Sequence, residues 1–160
     1  QGMSDEHSLW NRIRNSIGHV GHWQRLEFNP EAGIPDVNFC IAGVEGMIEL
    51  KHTDEPPVRE ATRVFGDRGL RKAQIAWIKI RQRVGGRIFI CSQVGRWLFL
   101  TPGFHAETFN EMSLKEITRT SVWNHFGTMR QEDWVNFVMI ITGPLPKEKG
   151  RKKARPLNLD

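Results

Sequence analysis

"GIPDVNFCIAGVEGMIELK", Gly33–Lys51, reads as two strands, about Asp36 to Ala42 and Glu45 to Lys51, joined through Gly43 and Val44. Asp36, Glu49 and Lys51 interrupt these otherwise apolar runs, and burying each charge is costly unless it is paired or bound to a metal. A two-residue turn at Gly43 and Val44 would put Asp36 opposite Lys51 and Asn38 opposite Glu49. Because strand side chains alternate, Asp36, Asn38, Glu49 and Lys51 then share one face, and Val37, Phe39, Ile41, Ile48 and Leu50 share the other. Asp36 and Glu49 become diagonal neighbours, about 7–8 Å apart at the backbone. Two carboxylates that close repel unless a cation or a shared proton lies between them, and such oxygen ligands suit Mg²⁺ or Mn²⁺. Lys51 adds an ammonium beside them, which completes a constellation for metal-assisted phosphoryl chemistry. The same spacing also fits an ordinary cross-strand salt bridge on a solvated face, and spacing alone leaves both readings open.

Upstream, Leu9, Trp10, Ile13 and Ile17 recur at helical spacing, so Ser4 to Ile17 is expected to be an amphipathic helix with Ser4 as its N-cap. A short strand is expected around Trp23 to Phe28, then a loop over Asn29 to Pro35 marked by two prolines and a glycine. Downstream, His52 to Gly69 is a long polar excursion containing Pro56 and Pro57. Leu70, Ala73, Trp77, Ile80 and Val84 predict a helix ended by Gly85 and Gly86, and Arg87 to Ser92 and Arg96 to Thr101 predict two more strands turning near Val94 and Gly95. Two further helices are expected over Ser113 to Thr118 and Arg130 to Ile141, the second with Trp134, Phe137, Val138 and Ile141 inward. This order predicts an α/β or α+β domain with one sheet and flanking helices.

The chain has 160 residues, 39% of them hydrophobic, with nine Phe and six Trp, enough for one core. A single domain is expected over residues 3–143, with residues 1–2 read as a tag remnant before Met3. Of the net charge of +5, residues 144–160 supply +4, from six Lys/Arg against two acids. That segment has no periodic apolar face, so it is expected to be a disordered basic tail, either a salt-sensitive phosphate-binding arm or a solubilising end. No apolar run approaches the roughly 20 residues of a membrane span and no signal-peptide pattern follows Met3, so a cytoplasmic protein is expected. Cys40 and Cys91 lie in strand-like runs without zinc-site spacing and read as reduced packing residues.

"GIPD", followed across the hairpin by "IELK" and then by "RKAQIAWI", resembles the PD-(D/E)XK nuclease superfamily, and within it the virus-type replication-repair (VRR-NUC) nucleases. The matching positions are Pro35 and Asp36, Glu49 and Lys51, and Gln74 on the following helix, within roughly Trp10 to Leu100. The resemblance implies a restriction-endonuclease-like α-β-β-β-α-β core, here with extra C-terminal helices. It also implies a Mg²⁺ or Mn²⁺ ion held by Asp36, Glu49 and the carbonyl of Leu50. Lys51 would activate or orient water, and Gln74 would bond the lysine, the water or the phosphate. Relatives often add a glutamate from the first helix, and Glu6 shares the inward face of Leu9, Trp10, Ile13 and Ile17; the alternative is a first-turn acid favouring the helix dipole.

On this reading Arg59, Arg63, Arg68, Arg71 and Lys72, with Arg25, are expected DNA-backbone contacts, and Val64 with Phe65 a wedge into a junction or flap. The bland alternative is a set of solvated arginines, with Arg25 paired within its own sheet. The expected activity is metal-dependent DNA endonuclease cleavage, selective for branched or junction structure, in phage-type replication, recombination or repair; if phage-encoded, the protein would act in the host cytoplasm. A C₂ homodimer is the simplest supply of paired cuts. The alternative is a DNA-binding or packaging accessory module that keeps the fold without the chemistry.

Overall fold

In the computed structural model, which describes residues 2–26 and 30–149, the helices and strands follow one another in mixed order. The order is α1 (Gly2–Ile17), β1 (His22–Arg25), β2 (Val37–Ile41), β3 (Val44–Thr53), α2 (Lys72–Arg83), β4 (Ile88–Val94) and β5 (Trp97–Pro102). It continues with α3 (Ala106–Phe109), α4 (Leu114–Thr120), β6 (Trp123–Phe126) and α5 (Gln131–Thr142). The strands form one mixed sheet in the order β1-β2-β3-β4-β5-β6. Only β3 and β4 pair in parallel, with α2 in the crossover between them. The fold is α+β, its first six elements in the expected α-β-β-β-α-β order. No helix among the described residues is long and apolar enough to cross a membrane.

Strand alternation sends two apolar sets to opposite faces of the sheet. Phe39, Ile48, Leu50, Phe89, Cys91 and Leu100 pack with Leu9 and Ile13 of α1 and with Phe137 and Ile141 of α5. On the other face Ile88, Ile90, Val94 and Phe99 pack with Ile78 of α2, Ala106 and Phe109 of α3, and Ile117 of α4. Glu49 and Lys51 belong to this second face by parity, so charge enters beside an apolar layer. Both cysteines are free; burial pushes the Cys91 thiol up to about 12, consistent with packing rather than reactivity.

Several expectations need correction. The turn of the first hairpin is Ala42–Gly43, closed by the pair Ile41↔Val44, not Gly43–Val44. Both turn residues take positive φ, 49° and 80°, as a type I′ hairpin requires, and Ala42 is the only non-glycine to do so among the described residues. Helix α1 begins at Gly2, so Ser4 lies inside its first turn instead of capping it. The buried residues of α2 are Gln74 and Ile78, with Leu70 buried just ahead of the helix, while Ile80 and Val84 are 63% and 81% exposed. Helix α3 and strand β6 were not anticipated; both are only four residues long. The predicted strand beyond Leu26 and most of the basic tail lie outside the described residues.

Candidate active site

The corrected turn moves the hairpin register by two residues, which preserves every face and changes every partner. The ladder pairs Val37 with Ile48 and Asn38 with Met47, so the next position sets Asp36 across from Glu49, not Lys51. Asn38 is removed from the site and bonds Glu45 Oε1 and the Gly46 carbonyl, at 3.3 and 3.2 Å. Strand β2 begins just after Asp36 while β3 runs on to Thr53, so Lys51 lies past the point where β2 has ended. There Asp36 Oδ2 accepts the Leu50 amide at 2.9 Å. A strand residue's amide and carbonyl point to the same edge, so the Leu50 carbonyl also faces the Asp36 side.

Glu49 is 1% exposed. Its Oε1 accepts from Gln74 Nε2 at 2.7 Å and lies 3.5 Å from Lys51 Nζ, while its Oε2 is buried without a hydrogen-bond partner. Burial, and next the charge of Asp36, push the Glu49 carboxyl well above the usual carboxylate range despite the opposing pull of Lys51. Lys51 is 6% exposed and is shared with Glu6, whose Oε1 lies 3.7 Å from Nζ. Burial also raises the Glu6 carboxyl, Lys51 opposing it. Glu6 therefore comes to the site as a neighbour of the lysine.

The position of Gln74 is determined at both ends. Its Oε1 accepts the Arg71 amide at 2.9 Å, which closes the first turn of α2, and its Nε2 reaches Glu49. Gly33 has φ +70°, and a Cβ there would run into the Ala73 carbonyl and the Gln74 amide. The loop that delivers Pro35 and Asp36 thus lies directly on the backbone of α2 at Gln74, an approach only glycine permits. Asn110, after α3, clamps the entry to α2 by accepting the Leu70 amide and donating to the Leu70 carbonyl, both at 2.7 Å.

Among the described residues no group of three or more His, Cys, Asp and Glu is gathered closely enough to hold a metal ion. Mg²⁺, however, is commonly bound through one or two carboxylates with water and substrate completing its shell. Asp36 and Glu49 facing each other, a buried unpartnered Oε2, and a carbonyl on the same edge fit that smaller ligand set.

The residues expected on the DNA path divide. Arg59, Arg68, Arg71 and Lys72 are exposed, whereas Arg63 is engaged through Nη1 with both oxygens of Glu111, at 3.1 and 3.2 Å. Arg25 donates to His7 Nδ1 at 2.9 Å, and its charge reaches Glu6. The wedge expectation fails: Val64 and Phe65 are 4% and 5% exposed, because the excursion folds inward, with the Val64 amide on the Met112 carbonyl and Phe65 stacked on Phe109. Two neighbours were not anticipated. Ser92, in register with Lys51, is fully buried with no hydrogen-bond partner for its hydroxyl, and a polar residue inside "IFICSQV" is the signal that marks it. Asn110 carries no such local signal. Compared with protein-family models and with curated proteins, the chain matches none.

Proposed function

We propose that this chain is a Mg²⁺- or Mn²⁺-dependent endonuclease that hydrolyses phosphodiester bonds in DNA, with a preference for branched structures. One observation carries the reading: a fully buried glutamate, one oxygen unpartnered, faces a second carboxylate and lies beside a buried lysine. Ionised carboxylates in such a place are costly in the absence of a cation, and perturbed acids beside a fixed base are what phosphoryl-transfer sites require. Asp36, Glu49 and the Leu50 carbonyl would hold the ion, which when bound supplies Lewis-acid charge neutralisation and a more acidic water. Gln74 fixes the rotamer of Glu49 by taking Oε1, leaving Oε2 for the ion. The Leu50 amide does the same for Asp36 through Oδ2. Lys51 presents an ammonium next to the Glu49 and Glu6 carboxylates, positioned to orient water and to steady negative charge that develops on the phosphate. Ser92, in register with Lys51 on β4, brings a buried hydroxyl with no hydrogen-bond partner alongside that strand position.

The near-neutral body leaves few groups to read base edges, which supports selection by DNA shape, and a C₂ dimer acting in the cytoplasm is the simplest arrangement for paired cuts. The rival reading is DNA binding without cleavage. Incubating labelled four-way junction, flap, single-stranded and duplex DNA with Mg²⁺ or Mn²⁺ separates the two. The native chain is expected to cut at least one branched substrate, and Asp36→Ala and Lys51→Ala to cut none. Binding without cutting by the native chain, or undiminished cutting by those variants, removes the nuclease reading.

A further inference from the structure

The excursion between β3 and α2 leaves the sheet two residues after Lys51 and returns two residues before Gln74, so both its ends are rooted at the site. Its inner half is core, but its outer half stands clear. Pro56 and Pro57 stiffen the chain, the Thr62 amide closes a turn on the Arg59 carbonyl at 3.1 Å, and Arg63 bridges to Ser113 at the start of α4. At the tip Val58 is 103% exposed, the most exposed large apolar side chain among the described residues. Between this segment and α4 runs a groove of about 700 Å³, with Pro57, Val58 and Leu114 as its apolar lining and Arg59, Lys115 and Arg119 as its cations. Glu60 is the single acid lining it, 3.9 Å from Lys115, and both side chains are about 80% exposed.

We propose that this groove is a second nucleic-acid subsite: its cations take the phosphates of one strand of a branched DNA, and Val58 wedges against the base step at the branch. The proposal rests on the nuclease reading and extends it to a surface that Asp36, Glu49 and Lys51 do not touch. A polyanionic strand with apolar bases matches an excess of positive charge over an apolar lining. A rigid apolar tip beside phosphate-binding cations is the arrangement by which proteins open base steps. It also gives the excursion the wedge that Val64 and Phe65, being core residues, do not supply.

The test uses the full chain carrying Asp36→Ala, so that binding is read without cutting, and a fluorescently labelled forked DNA titrated at salt concentrations from about 50 to about 200 mM. Each phosphate contact contributes roughly 0.7–0.9 to the log–log salt slope, so Arg59→Ala/Lys115→Ala/Arg119→Ala is expected to flatten it by about 2–3. Over that salt range the parent then loses about 20- to 40-fold more affinity than the variant. Removing Arg14 and Arg83, exposed cations outside the groove, is expected to leave the slope unchanged. Val58→Ser, at a side chain without packing, is expected to abolish the rise in fluorescence of 2-aminopurine placed at the fork. A triple variant that keeps the parent slope overturns the subsite, and a full 2-aminopurine signal from Val58→Ser overturns the wedge. A native chain that neither binds nor cuts DNA removes the nuclease reading itself, so the two failures are distinct.

Discussion

Replacing Glu49 by glutamine should stabilise the metal-free protein at neutral pH, although the residue is buried and paired. Oε1 can go on accepting from Gln74, while the position of the unpartnered Oε2 becomes an amide that donates toward Asp36, turning repulsion into a charge-assisted bond worth about 1.5–3 kcal/mol. Against this stands the loss of the Lys51 contact at 3.5 Å, with Glu6 remaining at 3.7 Å. The raised Glu49 carboxyl decides the sign, because burial and Asp36 together outweigh Lys51. An acid whose folded pKa lies above its unfolded value holds its proton longer in the native state. Native protein therefore binds more protons than unfolded protein from about pH 4.5 upward, and stability falls as pH rises through that window. One such group gives a slope of up to about 1.4 kcal/mol per pH unit, or about 3–6 °C in Tm per unit for a domain of this size. Thermal unfolding in EDTA from pH 5 to 8.5 should show the parent losing stability relative to Glu49→Gln, the gap widening with pH until the folded carboxyl has ionised. Glu6, shifted the same way, contributes to both curves and cancels in the difference. A Glu49→Gln chain that is less stable than the parent at pH 7.5, with a parallel pH profile, would refute the reasoning and make Lys51 the dominant partner.

Adding Mn²⁺ should reverse that order: at a hundredfold excess over its Kd it stabilises the parent by about 2.7 kcal/mol, about 5–11 °C, and Asp36→Ala should show no such rise in differential scanning calorimetry. Gly33→Ala should cost more than about 2 kcal/mol in urea unfolding, since φ +70° disfavours alanine and its Cβ meets the Ala73 carbonyl. Asn110→Ala releases both Leu70 backbone bonds and should cost about 1–3 kcal/mol in the same assay. That variant should also slow cleavage by loosening α2 at Gln74, and Asn110→Asp, which keeps the acceptor for the Leu70 amide, should recover part of the loss.

The hairpin shows which parts of this architecture are legible in sequence and which are not. Face assignment depends on parity, so an error of one residue in the turn, which shifts the register by two, left Asp36, Glu49 and Lys51 together and sent the same apolar residues to the core. Partner assignment depends on the turn itself, and an alanine at φ 49° is a conformation composition argues against. Helix α2 failed differently. A polar Gln74 occupies its buried stripe because Glu49 is there to receive it, so the apolar periodicity pointed to Ile80 and Val84, which face solvent. The inward fold of Val64 and Phe65 rests on Phe109 and Met112, more than forty residues away in the chain, and no local pattern encodes it.

These misreadings have one physical source. Local periodicity reports where a chain is apolar, while a site of this kind requires polar groups at buried positions, each tolerable only because another element supplies its partner. Gln74 of α2 and Glu49 of β3 depend on each other, Asp36 depends on the Leu50 amide of β3, and α2 depends on Asn110. A stripe that breaks its own period with a glutamine, opposite a strand that breaks its own run with a glutamate, is therefore better evidence for a site than either break alone. Two buried polar groups that hydrogen-bond across elements lower each other's cost, and an isolated one has no such offset.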